Sequence, residues 1–172
     1  ILASSANNEK LESKELTQIV KCLLKPADPQ FLSPIIDALI LIESRGDRLV
    51  LRSGKDSFLK NNRKLDQFHH ALVELAKGDP KLPKAKWAYS GIVDISSRKN
   101  ANAEAKANAT AFIQDCWNTP SKKALLITVL VDLRNRSYDD QILVASKDSD
   151  PSVKQAAVRA MRHFKIEETN KD

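Results

Sequence analysis

The sequence predicts an all-α fold, an α-solenoid of about four stacked helical hairpins. Three observations carry that expectation. Asp-Pro or Thr-Pro pairs recur ahead of apolar residues spaced three and four apart, the pattern of a capped helix with one buried face. The 172-residue chain is 42% hydrophobic with only 4 glycines, which suits a helix-rich globular domain rather than a disordered one. A helix pair with a single apolar face cannot bury it alone, so such pairs stack into right-handed arrays.

In chain order, residues 1–12 are polar and aperiodic and read as a frayed lead-in. The repeat domain is assigned to 13–166 and a polar tail to 167–172. Leu16, Ile19, Val20, Leu23 and Leu24 predict a first helix that stops at Lys25-Pro26. After Asp28-Pro29, a second helix follows from Phe31, Leu32, Ile35, Ile36, Leu39 and Ile42, with Gly46 as its terminator. Pro34 falls inside it and predicts either a kink or a start there with Ser33 as cap. Residues 47–62 are read as an insert in which Leu49-Val50-Leu51 forms a helical turn. A weaker hairpin turns at Asp79-Pro80, between Leu72-Val73 and Trp87 to Ile95, with Pro83 intruding. The Ala-rich run 101–117 and the segment after Thr119-Pro120 form the next pair.

The clearest unit is 138–164. Asp150 caps a helix that opens on Pro151, and Val153, Ala156, Ala157, Ala160, Met161 and Phe164 share one face. Displaced by 122 residues, Asp28-Pro29 falls on Asp150-Pro151, Ile35 on Ala157, Ala38 on Ala160 and Ile42 on Phe164. Displaced by 31, Thr119-Pro120 falls on the same pair, and Leu126 and Leu130 fall on Ala157 and Met161. Ile36, Leu39, Leu126, Leu130, Val158 and Met161 are the expected core.

Asp148-x-Asp150-Pro151-x-Val153-Lys154-x-Ala156-Ala157-x-x-Ala160-Met161 resembles the HEAT-repeat family. The family usually carries Arg where this chain has Lys154, and the first copy has Leu32 there. The resemblance implies an α-solenoid whose curved surface meets partners, with exposed residues of the second helices, 30–43, 121–132 and 152–163, making the contacts. The degenerate repeats and polar tail also resemble helical-repeat regions of large bacterial secreted proteins. In those, repeats link a sugar-dehydrogenase-like propeller to a c-type cytochrome domain. That second resemblance implies a secreted or periplasmic location and an adjoining domain as partner; otherwise the chain is expected in the cytoplasm.

Net charge is +6, but residues 1–86 hold 15 basic and 11 acidic side chains and residues 87–172 hold 13 and 11. Both signs are interspersed, so no one-sided basic stripe marks a nucleic-acid surface. The candidate basic contact surface is Lys122, Lys123, Arg134, Arg136, Lys154, Arg159 and Arg162. No apolar run reaches the ~18 residues of a membrane span. The chain opens on Ile-Leu-Ala, which suggests an excised domain or a processed chain.

Catalytic and cofactor signatures are not found. His69-His70 and His163 have no His-x-x-x-His or Glu-x-x-His partner, so no metal site is expected from spacing. Asp139-Asp140 suit a helix N-terminus, and as neighbours they diverge by ~100° on a helix. Trp87, Tyr89 and Trp117 read as core aromatics, and Arg45-Gly46-Asp47 reads as a helix end. Cys22 and Cys116 read as buried free thiols, with a bridge between them as the alternative. The function expected is a non-catalytic protein-interaction or spacer module of a larger multidomain protein. The alternative is a HEAT-like domain that binds nucleic acid through its basic surface.

Overall fold

A computed structural model describes residues 10–167, and among these every regular element is helical. The helices are α1 (Ser13–Leu24), α2 (Leu32–Ser44), α3 (Arg48–Phe58), α4 (His69–Ala76), α5 (Pro83–Ser97), α6 (Ala103–Cys116), α7 (Pro120–Asp132), α8 (Asp139–Ala145) and α9 (Pro151–Phe164). Short 3-10 turns precede α2 and α4, at Pro29–Phe31 and Leu65–Phe68. The chain divides into two compact units at Ala109 and Thr110, a boundary inside α6. Most of the lead-in (1–9) and of the tail (168–172) lies outside the described residues. Among the described residues no helix is long and apolar enough to cross a membrane.

In the N-terminal unit α1 packs on α2 and α3, α2 also meets α3 and α5, and α4 packs on α5. Leu16, Val20, Ile35, Ile36, Leu39, Ile42, Phe58, Phe68, Leu72 and Ile92 form its core. Because α2 is covered on several sides, both Ile36 and Leu39 are buried as expected. Pro34 needs no kink: it is the third helical residue, where the N–H would have no intrahelical acceptor. Gly46 ends the segment in the left-handed region at φ +72, as expected.

Two expectations need correction here. Residues 47–62 hold a full helix, α3, rather than one turn: Asp47 caps it by accepting from Val50 N–H at 3.1 Å. Its Leu49 is 81% exposed, while Gly54 lets α3 approach α2 closely, 3.0 Å separating Leu39 from where a Cβ would stand. The helix after Asp79-Pro80 starts at Pro83 instead. A start at Pro80 would put Pro83 at the first position whose N–H must bond within the helix. Asp79 instead accepts from Lys81 N–H in a tight turn.

Arg98, at the end of α5, holds the loop after α3 in place. Its guanidinium binds Asp94 and donates to the carbonyls of Leu59 and Asn62. Polar rungs join α2 to α5 as well: Lys84 Nζ reaches Asp37 at 2.8 Å and Ser33 Oγ at 3.1 Å, and Trp87 Nε1 donates to Glu43 at 3.2 Å.

In the C-terminal unit α9 packs on α7 and on α8. Leu126, Val129, Leu130, Ile142, Val153, Ala157, Ala160 and Phe164 are buried. Small Ala157 and Ala160 let α9 come close to the bulky leucines of α7. Val158 and Met161, expected in the core, are only half-buried. The buried face runs Val153, Ala157, Ala160, Phe164, and both fall at its border.

The 31-residue displacement is repeated in the backbone. Arg134 and Lys165, 31 apart, both take left-handed conformations, at φ +54 and +55. The next residue closes each helix in the same way: Asn135 N–H bonds Leu130 O and Ile166 N–H bonds Met161 O, both at 2.9 Å.

Candidate interaction surface

The best-defined polar feature of the C-terminal unit is the turn between α8 and α9. Pro151 opens α9 where its missing N–H is not needed, and Asp150 caps the helix by accepting from Ser152 N–H at 2.8 Å and Val153 N–H at 3.2 Å. The Ser152 hydroxyl, then these N–H groups, hold the Asp150 carboxyl below its ordinary value. Asp148 accepts from Asp150 N–H at 2.9 Å, and its other oxygen lies 2.6 Å from Lys123 Nζ. The Lys123 ammonium, then that backbone bond, likewise lower the Asp148 pKa. Lys123 and Asp148 side chains are 18% and 16% exposed, which sets this pair apart from an ordinary surface contact.

Lys123 stands 31 residues before Lys154, the displacement at which Arg134 and Lys165 also share a left-handed conformation. Lys123 on α7 thus reaches the acidic turn ahead of α9.

Beside this ion pair a cleft of about 400 Å³ is lined by Trp117, Lys123, Asp140, Gln141, Val144 and Asp148. Val144 projects from α8 and is 74% exposed. Trp117 is half-buried, its ring centroid 6.0 Å from that of Tyr138. The cleft thus sets the apolar Trp117, Val144 and Ala145 beside the paired Lys123 and Asp148. Val144 was missed in the sequence reading. The signal lay in Ile142 and Ala145, which point inward three residues apart and leave 144 outside.

The seven basic residues do not act as one block. Lys122 pairs with Asp115 at 3.0 Å, Lys123 with Asp148, and Arg136 with Asp139 at 2.7 Å. Arg136 also lies over the Phe164 ring, 5.8 Å from its centroid. Arg134 is exposed with its backbone in the left-handed helix end, and Lys154, Arg159 and Arg162 are exposed on α9.

No known family model, curated protein or solved structure matches the chain.

The remaining candidates take structural places. Gly46 and Asp47 end α2 and cap α3, and Arg45 donates to the Leu11 carbonyl, which accounts for the Arg-Gly-Asp tripeptide. Trp87 and Tyr89 are buried, Trp87 meeting Phe58 edge to face at 6.0 Å. His163 lies in the last turn of α9, where positive charge is favourable. Asp139 and Asp140 open α8, also as expected. Cys116 is buried and forms no disulfide, but Cys22 is exposed, a correction. On α1 it stands ~200° from Val20, opposite the buried face.

Proposed function

We propose that the chain is a non-catalytic interaction module, a HEAT-like α-solenoid segment that receives a polypeptide on its C-terminal unit. The supporting observation is the cleft of Trp117 and Val144 beside the Lys123–Asp148 rung. It joins an exposed apolar contact to polar groups held in place by ion pairing and helix capping, so little ordering is needed on binding.

Packing between second helices supports the stacked-repeat reading: α2 meets α5 in one unit, and α7 meets α9 in the other. The twofold use of the left-handed helix end supports a true 31-residue repeat in the second unit. The partner is a polypeptide, supplied by another protein or by an adjoining domain of the same chain. If the propeller–cytochrome resemblance holds, that domain is a redox neighbour and the module is a spacer between electron donor and acceptor.

Nucleic-acid binding is the second reading, and exposed Lys154, Arg159 and Arg162 on α9 favour it. Against it, three of the seven candidate cations face a carboxylate within 3.0 Å. Duplex titration at low and moderate salt separates the two. Phosphate-driven binding falls linearly in log–log form with salt. Binding too weak to detect at low salt removes the second reading. Polypeptide binding is tested by hydrogen exchange of the chain alone and within its native assembly, where slowed exchange over residues 138–150 is expected.

A further inference from the structure

The 3-10 turn Leu65–Phe68 delivers His69 and His70 as the first two residues of α4. Glu104 lies in the first turn of α6, and one residue, Asp66, fastens both segments. The Asp66 carbonyl meets His69 Nδ1 at 2.8 Å, and its carboxylate accepts from Asn102 N–H at 2.9 Å. Asn102 in turn accepts from Glu104 N–H at 2.9 Å, which fixes the start of α6.

A carbonyl can only accept, so His69 Nδ1 carries a proton, and in the neutral form of the ring Nε2 is left with a bare lone pair. That nitrogen is buried without a hydrogen-bond partner, an arrangement that costs free energy until something binds it. It faces Glu104 Oε1 at 4.0 Å, and His70 Nε2 lies 3.5 Å from the same oxygen. One ligand atom from each of the three residues lies within 4.8 Å of the other two. The two imidazole rings lie 3.9 Å apart, tilted by 38°.

We propose that His69, His70 and Glu104 bind a divalent transition-metal ion, with zinc the best match. Two imidazoles and a carboxylate are donors for zinc and its neighbours, whereas calcium and magnesium take oxygen ligands. A metal–nitrogen bond of ~2.0–2.1 Å requires the three groups to draw together slightly. His70 and Glu104 are 75% and 69% exposed at their side chains and can make that adjustment, while His69 stays anchored. A ring N–H held by a backbone carbonyl is the usual outer-shell support of a ligating histidine. Three protein ligands leave a position for water. The bound ion clips the start of α4 to the start of α6, which stabilises the N-terminal unit by mass action.

The test is zinc titration by calorimetry, with cobalt absorption as a second probe, on the chain carrying Cys22→Ser, because Cys22 is an exposed thiol that could compete. One saturable zinc per chain and a melting temperature that climbs with zinc are expected. His70→Ala and Glu104→Gln, both at exposed positions where folding persists, should each weaken binding by more than about tenfold. No saturable binding up to about 1 mM zinc overturns the proposal, as that is the weak limit of specific affinity. Equal affinity in both variants, or loss on His163→Ala instead, overturns it as well.

Discussion

Lys123 Nζ lies 2.6 Å from Asp148 Oδ2, and Lys123 stands 31 residues before Lys154 on α9. The contact joins α7 to the turn between α8 and α9, where Asp148 and Asp150 also organise the start of α9.

Stability should depend on acid through these two carboxylates. Both have folded pKa values lowered from the ordinary one, Asp148 chiefly by Lys123 and Asp150 chiefly by Ser152. A lowered folded pKa means the stabilisation is complete above the unfolded value, about 4, and is lost as pH falls through the folded values. Thermal melts across about pH 6 to 2 should therefore show a falling midpoint. Asp148→Asn and Asp150→Asn should each lower the midpoint near neutrality and flatten its fall in acid.

Leu130 is fully buried on α7, whereas Met161, 31 positions later, is half-buried on α9. Leu130→Ala should cost ~2–5 kcal/mol by cavity formation, measured by urea denaturation. Met161→Ala should cost distinctly less, because part of that side chain already meets water. Equal losses would mean that α7 and α9 present different faces from those described.

Arg134 occupies the left-handed region at φ +54, which a side chain with a Cβ disfavours by ~1–2 kcal/mol. Arg134→Gly relieves that strain at the cost of a freer unfolded chain, so a net gain of roughly 0.5–1 kcal/mol is expected. Denaturant melts check it, and Lys165→Gly should behave alike at the matching end of α9.

Much of the helical layout was legible because its signals are local. Asp150-Pro151 and Gly46 act through their own backbone neighbours, and the apolar periods of α1, α2 and α7 coincide with their buried faces. Helix α3 was not legible, since Arg52, Ser53, Gly54 and Lys55 dilute its apolar stripe and tertiary packing on α1 and α2 overrides weak propensity. Pro83 displaced a start that Asp79-Pro80 suggested, because a helix begun at Pro80 would need an N–H from Pro83. Val144 and Cys22 were hidden for a different reason. Their apolar or thiol character suggested burial, and only their angular position against the buried residues of α8 and α1 places them outside. The cluster of His70 with Glu104, 34 residues later, arises from folding alone and leaves no trace in linear spacing.

The central claim is that the cleft around Val144 receives a polypeptide, and site-specific photocrosslinking from Gln141 in the intact native protein tests it most directly. Crosslinks to one defined polypeptide segment are expected, abolished by Val144→Arg in a protein that keeps its helical circular dichroism and its melting cooperativity. Crosslinks to nucleic acid, or polypeptide crosslinks that persist unchanged with Val144→Arg, would contradict it.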